Sequence, residues 1–395
     1  MSLLAGPIGL FLVLTASDQF GRVLGYCNLV LFCQIICLVV HEAGHGLAAI
    51  LVRFRLFSIS FGTTGNVLLA YRLFGCQFDL RTNLIDGMTV AAPRKTTFLR
   101  VRLLFYYLGG PLTNALLAGF LILLCMWLPG RPIIVAGSLV LAASNSLLAV
   151  ISLFPTNRSV GNACRASDGL AILKLPAMSI DEMNAFHGQF YYLEGIQSQD
   201  AGKLEEAERW FQRGLAEIAG GTSNLLMLAT ILLELRRFSE ARDAYLKLHQ
   251  QPDTTPELRA LLENNIAWTD LMIAEPGQLE EADRFSKEAI EATPWESYVK
   301  GTRGSVLIEL GRIDEGTRLV IQSLAASERP SSKALNTCYL AIAAARQGNS
   351  ETAKKLLDEA KKSDPNCALL DRTVAELQRE PNRSSNANLL RSVDE

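Results

Sequence analysis

Acidic side chains are almost missing from the first 150 residues. Only Asp18, Glu42, Asp79 and Asp86 occur there, against ten Lys/Arg. A stretch so poor in carboxylates lacks the mixed-sign surface of a soluble domain and reads as membrane protein. Histidine is scarce as well, with four in 395 residues, so any close pair of them stands out. The eight cysteines contain no CxxC and no paired spacing, which excludes a disulfide framework and a thiolate zinc site. Cys27, Cys33, Cys37 and Cys125 lie in apolar runs, where a thiol acts as a small hydrophobe. Cys338 and Cys367 belong to the polar half, and unpaired they fit a reducing compartment. The net charge of -2 carries no basic excess, so no nucleic-acid partner is expected.

What is present divides the chain in two. A membrane domain is expected over residues 1–180, with about four spans. The opening run 3–17, LLAGPIGLFLVLTAS, is short for a span but long enough with tilt; a re-entrant or signal-like segment is the alternative. Runs at 23–52, 101–128 and 132–154 each exceed the roughly 20 residues a bilayer needs. Between the second and third, FSISFGTTGNVLLAYRLFGCQFDLRTNLIDGMTV alternates apolar and polar residues between turn signals. This predicts short β-hairpins at the membrane edge over 58–92, with a plain amphipathic loop as the alternative. Arg53, Arg55, Arg72, Arg81, Arg94, Lys95, Arg100 and Arg102 all fall between those two spans, whereas the turn after the third offers only Arg131. By the positive-inside rule the Arg-rich segment is cytoplasmic, and the chain beyond the fourth span returns to the same side.

From about residue 180 the composition turns to Glu, Lys, Arg, Ala and Leu, and the sequence repeats. GKLEEAERWFQRGLAEI, RRFSEARDAYLKLHQ, GQLEEADRFSKEAIEATP, GRIDEGTRLVIQSLAAS and GNSETAKKLLDEAKKSDP follow one another. Ala207, Ala241, Ala282, Gly316 and Ala353 share one small-residue position at spacings of 34, 41, 34 and 37. A period near 34 with a helix pair per unit resembles the tetratricopeptide repeat (TPR) over residues 184–370. The fold class expected is therefore predominantly all-α: a polytopic membrane helical core with a small β-hairpin region, then an α-solenoid of TPR helix pairs. The tail 380–395 has a disordered composition. Such a solenoid is expected to offer a peptide or partner protein a concave surface.

The chemistry concentrates at HEAGH. His41 and His45 are four residues apart, so on a helix they project from one face about a turn apart, and two neutral imidazoles there can ligate one Zn²⁺. Glu42 beside the first can act as general base on a metal-bound water. An ionisable trio in an apolar span is expensive unless it has a partner or a purpose; polar glue between helices is the plainer alternative. A third ligand is needed. Asp168, ahead of Gly169 and an apolar helix, is well placed for it. Asp86, in a similar Asp-Gly pair, reads as a turn aspartate. His187 and His249 read as solvated histidines of the repeats, and Cys37, one turn before His41, as a core thiol.

HEAGH in a span, GGPLTN in a later one and a downstream Asp-Gly together resemble the site-2-protease family of intramembrane zinc metalloproteases, over residues 20–175. The resemblance implies His41, His45 and Asp168 as zinc ligands and Glu42 as catalytic acid/base. Gly110 and Asn114 match that family's GxxxN pattern, which implies Asn114 near the active site, steadying substrate backbone or an oxyanion. Read from the residues alone, Gly109–Gly110 with Asn114 is equally a close helix contact with one interhelical hydrogen bond. The chain departs from the family at Ser152-Leu153-Phe154-Pro155, where Asn-Leu-Leu-Pro is usual, and a polar insert, TNRSVGNACRAS, then precedes Asp168. The reading is a zinc endopeptidase acting on transmembrane or membrane-edge segments, with the lipid bilayer and membrane-protein substrates as partners. The rivals are an inactive membrane-anchored TPR scaffold and a membrane metalloenzyme or zinc-linked transporter that is not a protease.

Overall fold

The computed structural model describes residues 5–15, 18–128, 131–160, 163–217, 221–252 and 254–379; the expected tail 380–395 lies outside them. The chain divides into two compact units, Met1–Glu194 and Gly195–Glu395.

The first unit begins with α1 (Ala5–Thr15) and α2 (Gln19–Leu51), then β1 (Phe54–Phe61), β2 (Thr64–Leu73), β3 (Cys76–Asn83) and β4 (Gly87–Pro93). Helices α3 (Leu99–Trp127) and α4 (Pro132–Leu153) follow. A hairpin of β5 (Asn157–Val160) and β6 (Ala163–Ala166) leads to α5 (Asp168–Lys174). Among the described residues three helices are long and apolar enough to cross a membrane, α2, α3 and Ile134–Leu153 of α4. They leave Phe20, Leu31, Leu116, Phe120 and Trp127 exposed, a wasteful arrangement in water that suits lipid contact. The first helix is different. At eleven residues it is about 17 Å long, short of the bilayer core, so the run read at 3–17 is not among the helices of spanning length.

Helices α2 and α3 meet through glycine. A Cβ on Gly44 would stand 1.8 Å from Thr113 Oγ1, and one on Gly109 2.6 Å from the Gly44 carbonyl. Close backbone approach of this kind needs small residues on both sides, and it is the helix contact that GGPLTN suggested.

The segment between α2 and α3 forms a four-stranded sheet of order β2-β3-β1-β4. The expectation of simple hairpins is corrected here. β2 and β3 do form an antiparallel hairpin, but β1 pairs parallel with β3 and antiparallel with β4. β1 is thereby central, with Phe54, Phe57 and Ile59 buried, and β2 and β4 are the edges. β2 carries Val67, Leu68, Leu69 and Tyr71 exposed on both its faces, in keeping with a membrane-edge sheet.

The second unit, with the last residues of α6 (Ile180–Asp200), is built of helices: α7 (Leu204–Glu217), α8 (Thr222–Glu234), α9 (Phe238–His249), α10 (Pro256–Ile273), α11 (Gln278–Ala292), α12 (Ser297–Glu309), α13 (Ile313–Ala326), α14 (Pro330–Arg346) and α15 (Ser350–Ser363). Ala207, Ala241, Ala282 and Ala353 are fully buried and Gly316 is buried on the second helix of its pair. Gly202, Gly277, Gly311 and Gly348, which open four of the units, have φ between +72° and +87°, a left-handed turn that glycine adopts freely. Arg236 holds the same place at φ 60°.

Two expectations about histidines and thiols are refined. His187 is not a solvated repeat histidine: it is buried in the first unit, with Nδ1 3.0 Å from the Pro93 carbonyl. His249 does sit in the repeats, 3.2 Å from Glu263. Cys338 and Cys367 are free thiols with sulfurs 4.0 Å apart, and Cys37 is a fully buried core thiol.

Candidate metal centre

His41, Glu42 and His45 lie in the last third of α2 and are all at least nine-tenths buried. The four-residue spacing brings the two imidazoles together, with Nε2 atoms 3.2 Å apart. Asp168 closes the group, its Oδ2 3.2 Å from His41 Nε2 and its Oδ1 3.4 Å from His45 Nε2. Bonds of about 2.0–2.1 Å at tetrahedral angles separate neighbouring ligand atoms by roughly 3.3–3.4 Å. The two imidazole nitrogens are close to that spacing, one ligand atom from each of the three residues lies within 4.8 Å of the others, and a set of two imidazoles and one carboxylate suits a zinc ion.

The surroundings fit as well. His45 Nδ1–H donates to the Tyr106 carbonyl at 2.8 Å, which fixes the tautomer and leaves Nε2 with its lone pair inward, the usual support of a ligating histidine. Gly110 of α3 faces the same point: a Cβ there would lie 2.5 Å from His45 Nε2 and 2.7 Å from His41 Nε2. Glycine keeps this space open.

Asp168 reaches the centre because of its neighbours. Ser167 caps α5, its Oγ accepting from the Leu170 N–H and the Thr156 N–H and donating to the Phe154 carbonyl. A Cβ on Gly169 would fall 1.8 Å from the Leu153 carbonyl, so only glycine lets α5 sit this close to the end of α4. The polar insert folds back as β5–β6, with Asn157 paired to Ala166, and its extra length leaves Asp168 where α4 ends.

Glu42 is held by β4. Thr89 Oγ1 is 2.8 Å from Glu42 Oε2 and 3.0 Å from the Glu42 carbonyl, and Tyr106 donates its hydroxyl to the Thr89 carbonyl at 2.6 Å. Tyr106 thus supports both His45 and Thr89, one through its carbonyl and one through its hydroxyl. Gly87, at the start of β4, lies so close that a Cβ would meet Glu42 Oε1 at 2.8 Å.

The other sequence candidates separate cleanly. Asp86 accepts from Thr63 N and Thr63 Oγ1 and joins two loops, as a turn aspartate does. Ser152 is buried and donates to Ala149 within α4. Asn114 is fully buried on α3; its Nδ2 donates to the Cys37 carbonyl, one turn before His41, and its Oδ1 has no partner. Thr89, Tyr106 and Gly87 were missed. Gly87 had a faint signal, since it is the glycine of the discounted Asp86-Gly87 pair.

Comparison with known proteins follows these lines. Solved structures similar to this chain include TPR proteins. A thermophilic TPR protein of Thermus thermophilus is 21% identical with a TM-score of 0.38, covering 48% of this chain and 99% of its own. YrrB, described as a TPR protein with an unusual peptide-binding site, is 16% identical with a TM-score of 0.32, covering 47% and 90%. Pseudomonas aeruginosa pilF is 14% identical with a TM-score of 0.36, covering 67% and 99%. No curated protein matches. The profile of peptidase family M50 matches residues 29–357, well over half the chain and including both histidines, Glu42 and Asp168. The chain belongs to peptidase family M50, a family of membrane metalloproteases.

Proposed function

We propose that this protein is a zinc-dependent intramembrane endopeptidase of the site-2 type, with His41, His45 and Asp168 as metal ligands and Glu42 as acid/base. The convergence of three donor groups on one point beside Gly110, with Glu42 in the next position of the helix, carries the reading. When bound, zinc supplies Lewis acidity and a water of lowered pKa. Glu42 Oε1 is the oxygen not engaged by Thr89 and takes the proton of the attacking water. The same carboxyl then returns it to the leaving amide nitrogen, and the apolar surroundings keep competing water out. Asn114 is assigned a supporting role one turn from His41, through its unpartnered Oδ1.

The substrate is an extended stretch of a transmembrane or membrane-edge segment, laid along the free edge of β4. That edge is favoured because β4, unlike the opposite edge β2, carries the Thr89 and Gly87 contacts to Glu42, and main-chain pairing to a free edge holds a peptide extended. The repeat unit recruits substrate or a regulator from the cytoplasmic side, as the excess of Lys/Arg between α2 and α3 orients the chain.

The experiment is cleavage of candidate membrane substrates by wild type and Glu42→Gln, with zinc measured in both. Retained zinc with lost cleavage is expected. Persistent cleavage in the variant would overturn the mechanism, and two proteins without zinc would favour the inactive scaffold. Val90→Lys on β4 should slow cleavage with zinc unchanged; an unaltered rate would remove the edge-strand mode.

A further inference from the structure

On the first unit, away from the metal centre, a cavity of about 800 Å³ opens where α2 ends, β1 begins and α3 starts. Five of its lining residues are cations: Arg53, Arg55, Arg94, Lys95 and Arg102. Only Arg55 has an acidic partner among the described residues, Glu194 at 3.1 Å. Arg102 spends its guanidinium on carbonyls, of Val52, Arg53, Lys95 and Thr97. It thereby ties the backbones of Arg53 and Lys95 to one rim. Like charges are held together here, and among the described residues no carboxylate pairs with Arg53, Arg94 or Lys95.

Arg53 adds an independent sign. It stands one residue past the cap of α2 with φ 58°, a place where helices usually carry glycine. The long cation is kept there in a left-handed conformation at about 1 kcal/mol or more of strain. The remaining walls are apolar, with Phe54, Phe74 and Phe78 among them. Of the lining residues, Ile50, Leu73 and Phe74 are exposed apolar side chains. Since α2 and α3 are of membrane-spanning length, this places the cations where acyl chains give way to headgroups.

We propose that this cavity binds the phosphodiester headgroup of an anionic phospholipid, with the acyl chains against its aromatic wall. Clustered Lys/Arg at this depth attract anionic headgroups, and the guanidinium fork of Arg53 matches phosphate oxygens. The site does not rest on the proteolytic reading, and its test reads binding, not cleavage.

The full chain, purified in a neutral detergent, is titrated with fluorescent phosphatidylglycerol and phosphatidylcholine, with inorganic phosphate as competitor. Saturable binding of phosphatidylglycerol alone is expected, and millimolar phosphate should leave it in place. Arg94→Gln with Lys95→Gln should weaken it roughly fivefold for each cation removed, while Arg131→Gln, far along the chain, should not. Arg53→Gly separates binding from folding, because glycine suits the left-handed position: it should melt no lower than wild type yet lose roughly fivefold in affinity. Equal binding of the two lipids, displacement by free phosphate, an equal loss in Arg131→Gln, or full affinity in a folded Arg53→Gly would each overturn the proposal.

Discussion

The two units use small residues for opposite ends. In the repeats, Ala207, Ala241, Ala282, Gly316 and Ala353 bring helix against helix, and nothing but packing occupies the space they leave. In the membrane unit, Gly87, Gly110 and Gly169 bring polar groups together: each would otherwise put a methyl onto Glu42, onto the two imidazoles, or onto the carbonyl that seats Asp168. The buried polar groups differ in the same way. In the repeats, the charge network of Arg346 with Glu309 and Glu376 closes within the unit. In the membrane unit, His41, His45 and Asp168 gather with donor atoms 3.2–3.4 Å apart, beside Glu42. A charge network satisfied locally is architecture; titratable donors gathered beside a buried carboxylate are candidates for chemistry.

The sharpest way to break this comparison is through Glu42. Glu42→Gln keeps the volume and removes the base, and general-base loss should lower kcat by about 10²–10⁴-fold with zinc content and melting unchanged. Next is Gly110→Ala. The added methyl falls against the two Nε2 atoms, so zinc affinity and activity should each fall by about 10–100-fold. Gly119→Ala lies on the same helix with nothing within 4 Å of the new methyl, and should leave both unchanged. If the two alanines behave alike, Gly110 is an ordinary helix glycine and the comparison fails. A smaller loss is expected of Thr89→Val, which keeps the shape and deletes the hydroxyl that orients Glu42. About a tenfold fall in kcat with zinc retained would identify Thr89 as a positioning residue, whereas zinc loss would show a merely structural role.

The parts of this arrangement that were legible in the sequence are the local ones. HEAGH places its side chains by helical spacing alone, and the recurring small residue marks the helix pairs without any knowledge of what they touch. Asp168 stood out by following the last span, with Gly169 and an apolar helix behind it, and the fold brings it to the two histidines. The rest depends on contacts the chain makes only once folded. Thr89 meets Glu42 from 47 residues away, and neither residue's neighbours hint at it. The parallel pairing of β1 with β3 is invisible to a reading of alternation, which reports strands but not their order. Asp86-Gly87 shows both halves of the lesson. The aspartate is the turn residue it resembles, and its neighbour is pressed against Glu42.

The smallest effect expected bears on the repeat side. Gly316 occupies the position that is alanine in the other four units, so equivalence by sequence predicts that Gly316→Ala is harmless, or stabilising by up to about 1 kcal/mol from helix propensity. The geometry says otherwise. A methyl there would stand 2.6 Å from the Gly304 carbonyl oxygen and 2.9 Å from Ile308 N, while one on Gly304 would stand 2.7 Å from the Gly316 carbonyl. Backbone atoms of α12 are the obstacle, and they cannot rotate away as a side chain would. The pair α12–α13 must therefore open, at an overpacking cost of about 1–3 kcal/mol that exceeds the propensity gain. A net loss of roughly 1 kcal/mol in unfolding free energy is expected by chemical denaturation, with zinc and cleavage untouched. Stabilisation instead would mean that α12 and α13 stand no closer than the other pairs, and that glycine here is only a variant of the repeat's alanine.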